Sequence, residues 1–183
     1  MLPVVFAPKG SPIARYLWQY KSPRPSAEAS AAGAVLLALL LVFLRDHGAC
    51  GWRSAGFGQP SHVAVVPTAR ARPGAHPLRR LIAPYLGWPW AELAARPDQR
   101  ERDLDPGRFA AAPVPGARVL LVDDTWTTGA SAQSAAMALR RAGARSVVTV
   151  VIGRHVGRAA PDLGAMPFRP ESCVSHRGTE VAS

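Results

Sequence analysis

One stretch, Val119-Leu120-Leu121-Val122-Asp123-Asp124-Thr125-Trp126-Thr127-Thr128-Gly129-Ala130-Ser131, constrains the fold of this chain more than any other. Its four apolar residues lie between Arg118 and Asp123, and their length and β-branched content suit a strand buried on both faces. Two adjacent carboxylates follow where that strand should end. A hydroxyl-rich turn with one glycine comes next, and Ala132, Ala136, Leu139 and Gly143 then fall on one face at helical spacing. The expected order is strand, acidic pair, hydroxyl-and-glycine loop, helix, which predicts an α/β fold with a parallel sheet.

That order has a chemical meaning. In an open parallel sheet, ligands sit beyond the carboxyl ends of the strands. A helix N-terminus presents free N–H groups and the positive end of a dipole, which suits phosphate. Thr127, Thr128 and Ser131 add hydroxyl donors, and Gly129 lets the backbone approach an anion closely. Asp123 and Asp124 would repel a phosphate. They suit sugar hydroxyls as acceptors, with a metal ion nearby. The pattern describes a cradle for ribose 5-phosphate.

Val119 to Ser131 resembles the phosphoribosyl-pyrophosphate (PRPP) binding motif of the type I phosphoribosyltransferases: a hydrophobic strand, Asp-Asp, then Thr-Thr-Gly-x-Ser. The motif is long and ordered, and far more specific than a lone glycine-rich loop. In one respect the chain departs from it. The usual aliphatic pair after the two Asp residues is replaced by Thr125-Trp126, and the bulky indole is expected to reshape the edge of the pocket. The resemblance implies that Asp123 and Asp124 hold the ribose hydroxyls and that Thr125 and Thr127 to Ser131, Ala130 included, surround the 5′-phosphate. It also implies Mg²⁺ held through substrate and water, with no direct protein ligand to the metal. In this family the loop after the first core strand grips the pyrophosphate. Thr68, Ala69, Arg70 and Arg72 occupy that place, and Arg70 joins the two aspartates as a catalytic candidate. A guanidinium and backbone N–H groups suit a leaving group whose negative charge grows.

Composition sets the frame. A chain of 183 residues, 48% hydrophobic, can bury one substantial core. Its net charge is +10, and all but Lys9 and Lys21 of its basic side chains are arginines. Two readings of that charge stand: a field that attracts a polyphosphate or nucleic acid, or the base composition of a GC-rich genome. The arginines are spread along the chain without interleaved aromatics, so nucleic acid is the less favoured partner. Cys50 and Cys173 lie far apart without Cys-x-x-Cys spacing, which argues against a zinc site. They leave a disulfide open, with a reduced cytoplasmic protein the simpler expectation. No signal peptide is expected from Met1 to Gly10. Ala29 to Leu44 is uncharged and mostly apolar, but short for a bilayer span. It reads as a buried helix rather than a membrane segment.

The remaining elements follow from local signals. Ile13 to Tyr20 predicts a short helix behind Pro12, and Ser26 caps a long helix running to about His47. The glycines from Gly48 to Gly58 predict a loop to Pro60. His62 to Val66 and Val147 to Ile152 predict strands. His76 to Leu86 predicts a helix cut by Pro84, and a further strand is placed near Trp90 to Ala94. Residues 96–107 predict either a solvated loop or a lid whose Arg96, Arg100 and Arg102 reach the pyrophosphate. The chain is divided into a helical N-terminal hood (1–60), a phosphoribosyltransferase core (61–158) and a partly disordered tail (159–183).

Weaker features resemble the ComF-like, or amidophosphoribosyltransferase-like, branch: Tyr20-Lys21, the basic loop Arg70 to His76, Gln99 and Arg102, and Arg108-Phe109. The cysteine-rich zinc segment common in that branch is missing. A start of Met1-Leu2-Pro3 gives no expectation of the N-terminal cysteine nucleophile of a glutaminase domain. The resemblance implies an enzyme that transfers phosphoribosyl from PRPP to a nitrogenous acceptor, with a second copy of the chain as homodimer partner. The alternative is a non-catalytic PRPP sensor or DNA-handling protein on the same fold.

Overall fold

The computed structural model describes residues 1–68, 76–96 and 103–156. Its elements run β1 (Leu2–Pro8), α1 (Pro12–Gln19), α2 (Ala27–Ser54), β2 (His62–Val65), α3 (Pro77–Ile82), β3 (Leu93–Ala95), β4 (Phe109–Ala111), β5 (Arg118–Trp126), α4 (Ala130–Arg141) and β6 (Ser146–Val156). Four strands form one sheet in the order β1-β6-β5-β2, and every pairing in it is parallel. β3 and β4 form a separate antiparallel ribbon. The α/β class expected from the sequence, a parallel sheet flanked by helices with the motif loop at a strand's C-terminal end, is the one the chain adopts.

β5 lies between β6 and β2, and Val119, Leu120, Leu121 and Val122 are all fully buried. Alternation along the strand sends them to opposite faces. Leu120 and Val122 join Leu17 of α1, Leu36 and Leu40 of α2, and Leu78 and Ile82 of α3. Val119 and Leu121 join Ala132, Ala135, Ala138 and Leu139 of α4, with Phe109. Each buried leucine contributes roughly 1.5–3 kcal/mol over leaving it exposed. The inward stripe of α4 thus runs through Ala135 and Ala138, while Ala136 is only partly buried. Gly143 adopts φ +96°, with Ala144 N–H donating to Leu139 O and Gly143 N–H to Arg140 O. These paired bonds close the helix as a Schellman turn.

The N-terminal region departs most from expectation. Residues 2–8 form a strand where the sequence predicts none, paired along one side to β6. α2 continues past His47 to Ser54, through Gly48 and Gly51. For Gly51 tertiary packing overrides the loop propensity, since a Cβ there would lie 2.8 Å from Leu2 Cδ1, while Gly48 lies against the ring of Trp52 one turn further along α2. α2 is long and apolar enough to cross a membrane by composition, and it is buried on one face only, with Val42 on the outer side 47% exposed. The strand expected near Trp90 is a single parallel bridge from Trp90 to Val63, followed by β3.

α1 lies close over β6. A Cβ on Gly153 would sit 2.3 Å from Leu17 Cδ1 and 3.5 Å from the Ala7 Cβ. Gly153→Ala is therefore expected to destabilise the fold by about 1–3 kcal/mol through overpacking, read as a lower urea midpoint. An unchanged midpoint would show that α1 is not seated on this strand.

Candidate functional site

β5 ends in the acidic pair, and the turn from Trp126 to Gly129 carries the chain into α4. Gly129 is the N-cap residue at φ +81°, and no side chain of its own caps the helix. The Thr128 hydroxyl accepts from Ala130 N–H at 3.3 Å. A cavity of about 290 Å³ opens beside this turn. It is lined by Asp123, Asp124, Thr125, Thr127 and Ser131 from the motif, and by Val66, Pro67 and Thr68 after β2. Lys21, His76 and Arg108 also line it. Carboxylate, hydroxyl and cationic groups thus converge at the C-terminal ends of two adjacent parallel strands, where an open α/β sheet binds ligands.

The carboxylates have different surroundings. Asp124 is 5% exposed. The Tyr20 hydroxyl donates to its Oδ2, and Lys21 Nζ lies 2.8 Å from its Oδ1. Asp123 is half-buried, and its Oδ1 accepts the Asp124 N–H at 2.9 Å. Desolvation, and next the Asp124 carboxylate beside it, push the Asp123 carboxyl up to about 8, against the opposing pull of Lys21 and of backbone N–H groups.

The other wall groups come from separate elements. Arg108 is 3% exposed, with its guanidinium 5.3 Å from the centre of the Phe109 ring. His76 is the N-cap of α3, and its Nδ1 accepts from Leu78 N–H at 3.2 Å.

Of the candidates read from sequence, the cavity gathers Asp123, Asp124, Thr125, Thr127, Ser131 and Thr68. Ala69, Arg70, Arg72, Arg100 and Arg102 lie outside the described residues. Arg96 does not line this cavity. Its N–H bonds Arg108 O across the β3–β4 ribbon, and it borders a second hollow of about 380 Å³ with Phe109, Ala138 and Arg141. Trp126 does not line the cavity either. Its ring packs over Gly129 and against the α4 core. Lys21, His76 and Arg108 carry no local motif signal; only the finer family resemblance had touched them.

No protein-family model and no curated protein matches the chain. Among solved structures it is similar to orotate phosphoribosyltransferase of Mycobacterium tuberculosis in complex with PRPP. That pair is 22% identical, with a TM-score of 0.42 over 80% of this chain and 87% of that one. It is also similar to adenine phosphoribosyltransferase from Leishmania tarentolae, 13% identical, with a TM-score of 0.48 over 82% and 90%. The M. tuberculosis enzyme in complex with inorganic phosphate gives 24% identity and a TM-score of 0.39 over 70% and 71%. Overlaps this loose say nothing of what this chain binds, and the ComF-like branch finds no support among them.

Proposed function

We propose that the chain is a phosphoribosyltransferase that binds PRPP and transfers its phosphoribosyl group to a nitrogen nucleophile. The observation that carries this reading is the cavity itself, where half-buried Asp123 shares a wall with the Thr127 and Ser131 hydroxyls at the start of α4. A ribose diol donates to a carboxylate, and a 5′-phosphate accepts from hydroxyls and helix N–H groups. A phosphorylated sugar asks for both ends in one cavity.

In the reaction, the acceptor nitrogen attacks C1 of the ribose as the C1–O bond to pyrophosphate breaks. The electron pair leaves with pyrophosphate, and the nitrogen gives up its proton to solvent water. Positive charge builds on the ribose, and Asp123 at the diol offsets it. Arg108 supplies a cation towards the phosphates, and the His76 ring, whose Nδ1 accepts from Leu78 N–H, is a donor at Nε2. The rest of the protein's contribution is positioning. The cavity's oxygen donors suit a hard cation carried on substrate and water, and Mg²⁺ so held would neutralise charge on the leaving pyrophosphate. Among the described residues no cluster of three or more His, Cys, Asp or Glu could cage a metal alone.

Titration calorimetry of the full chain with PRPP and Mg²⁺ tests the reading, followed by assay of pyrophosphate release against a panel of nucleobases and amines. Saturable binding that is far tighter than binding of ribose 5-phosphate is the expected result. A folded protein that gives no heat with PRPP would overturn it. Steeply salt-dependent DNA binding by that same protein would then favour the DNA-handling alternative.

A further inference from the structure

Asp124 is nearly closed to solvent, yet it sits in a motif whose chemistry faces a ligand. What reaches it are side chains 103 and 104 residues upstream. Tyr20 is the C-cap of α1, and Lys21 follows directly. Both also bring bulk: Tyr20 is buried in the core with Leu17, and Lys21 Nζ stands 5.7 Å from the centre of the Tyr20 ring. α1 is itself seated on β6 through Leu17 and Gly153. The end of α1 is thus pinned at two places, on β6 and on the acidic pair.

We infer that Tyr20, Lys21 and Asp124 form a latch that holds the end of α1 as a wall of the cavity, and that Lys21 is a positioning residue acting through Asp124. Both Asp124 oxygens are engaged by side chains of the latch, whereas Asp123 borders the cavity and takes backbone N–H groups of the motif itself, Asp124 N–H on its Oδ1. The pair is therefore divided in labour: Asp124 anchors the arm, and Asp123 faces the ligand. The ligand side of this inference rests on the phosphoribosyl reading; the latch does not. A competing role for Lys21 is direct contact with a ligand phosphate, since its side chain is 33% exposed and lines the same cavity.

A double-mutant cycle separates the two. Lys21→Met, Asp124→Asn and the double variant are compared by thermal melts without ligand and by PRPP–Mg²⁺ titration, with Lys21→Arg as the conservative variant. Groups that act through one contact are non-additive. The melts are expected to show the double variant no less stable than the worse single variant. In titration Lys21→Met is expected to weaken PRPP about tenfold, a loss of ~1.4 kcal/mol. Lys21→Arg should recover most of it, and the double variant should bind no more weakly than Asp124→Asn. Additive melts would overturn the latch. PRPP losses that multiply across the pair would overturn the positioning role and give Lys21 to the phosphates. Non-additive melts in a protein that binds no PRPP would uphold the latch and sink the phosphoribosyl reading.

Discussion

Asp123→Asn is expected to weaken Mg²⁺-dependent PRPP binding by a hundredfold or more while raising the melting temperature of the free protein at pH 8. The two effects share one cause. A carboxylate accepting hydrogen bonds from a diol makes charge-assisted bonds worth roughly 1.5–3 kcal/mol each. Losing two of them is a loss of about a hundredfold or more. Without a ligand the same carboxyl is in a poor place for a charge. Burial and the neighbouring Asp124 raise its pKa to about 8, against about 3.9 in an unfolded chain. Between those values the folded protein holds a proton that the unfolded chain has lost. Stability must then fall as pH rises from about 4 to about 8, and level off above. Asparagine has no proton to lose, so the variant's advantage should grow over the same window. It should reach several degrees in melting temperature. PRPP binding should run the other way in the wild type and tighten as pH rises through about 8, because the diol needs the anion. Melts and titrations at a series of pH values check both. A variant that binds PRPP like the wild type would remove Asp123 from the site. A wild-type melting temperature that does not fall as pH rises from 5 to 8 would show that this carboxyl is not held protonated.

The motif was legible because its meaning is local. A run of four apolar residues, β-branched at both ends and closed by two carboxylates, suits a strand, and β5 is covered on both faces as that reading requires. β1 was hidden for an equally local reason. It carries Pro3 and Pro8, and proline enters a sheet at an edge strand, where one side needs no ladder donor. Among the described residues β1 is such an edge, paired only to β6. Gly51 misled because its meaning lies in what touches it, Leu2. The cavity divides in the same way. Asp123, Thr127 and Ser131 are neighbours in sequence, so spacing found them. Lys21, His76 and Arg108 come from the end of α1, the cap of α3 and the approach to β4. Only the tertiary fold, sheet, helices and ribbon together, brings those places to one opening.

The largest loss of stability is expected from Gly129→Ala, and its cause explains why a tryptophan stands where the motif has an aliphatic residue. Gly129 holds φ +81° and ψ 0°. An L side chain in that left-handed region costs roughly 1–2 kcal/mol. Space is the greater obstacle. A Cβ at this position would lie 2.0 Å from Trp126 Cζ2 and within 2.6 Å of two further ring atoms. An indole is rigid, and this one is partly buried against the α4 core, so relief must come from moving the loop or the helix. Overpacking of this kind typically adds 1–3 kcal/mol, for a total loss of about 2–5 kcal/mol. The loop that moves carries Thr127 and Ser131, so affinity for inorganic phosphate and ribose 5-phosphate should fall with stability. Trp126→Leu restores the smaller residue type and empties the space above Gly129. In that background the clash disappears and only the backbone strain remains. Gly129→Ala should then cost about 1–2 kcal/mol, and urea unfolding of the four proteins should show a coupling of 1 kcal/mol or more between the sites. Additive losses would mean that the indole does not lie on the glycine. Coupled losses would mean that the tryptophan fills the room only a glycine leaves, closing the loop from the side away from the cavity while the hydroxyls stay turned towards it.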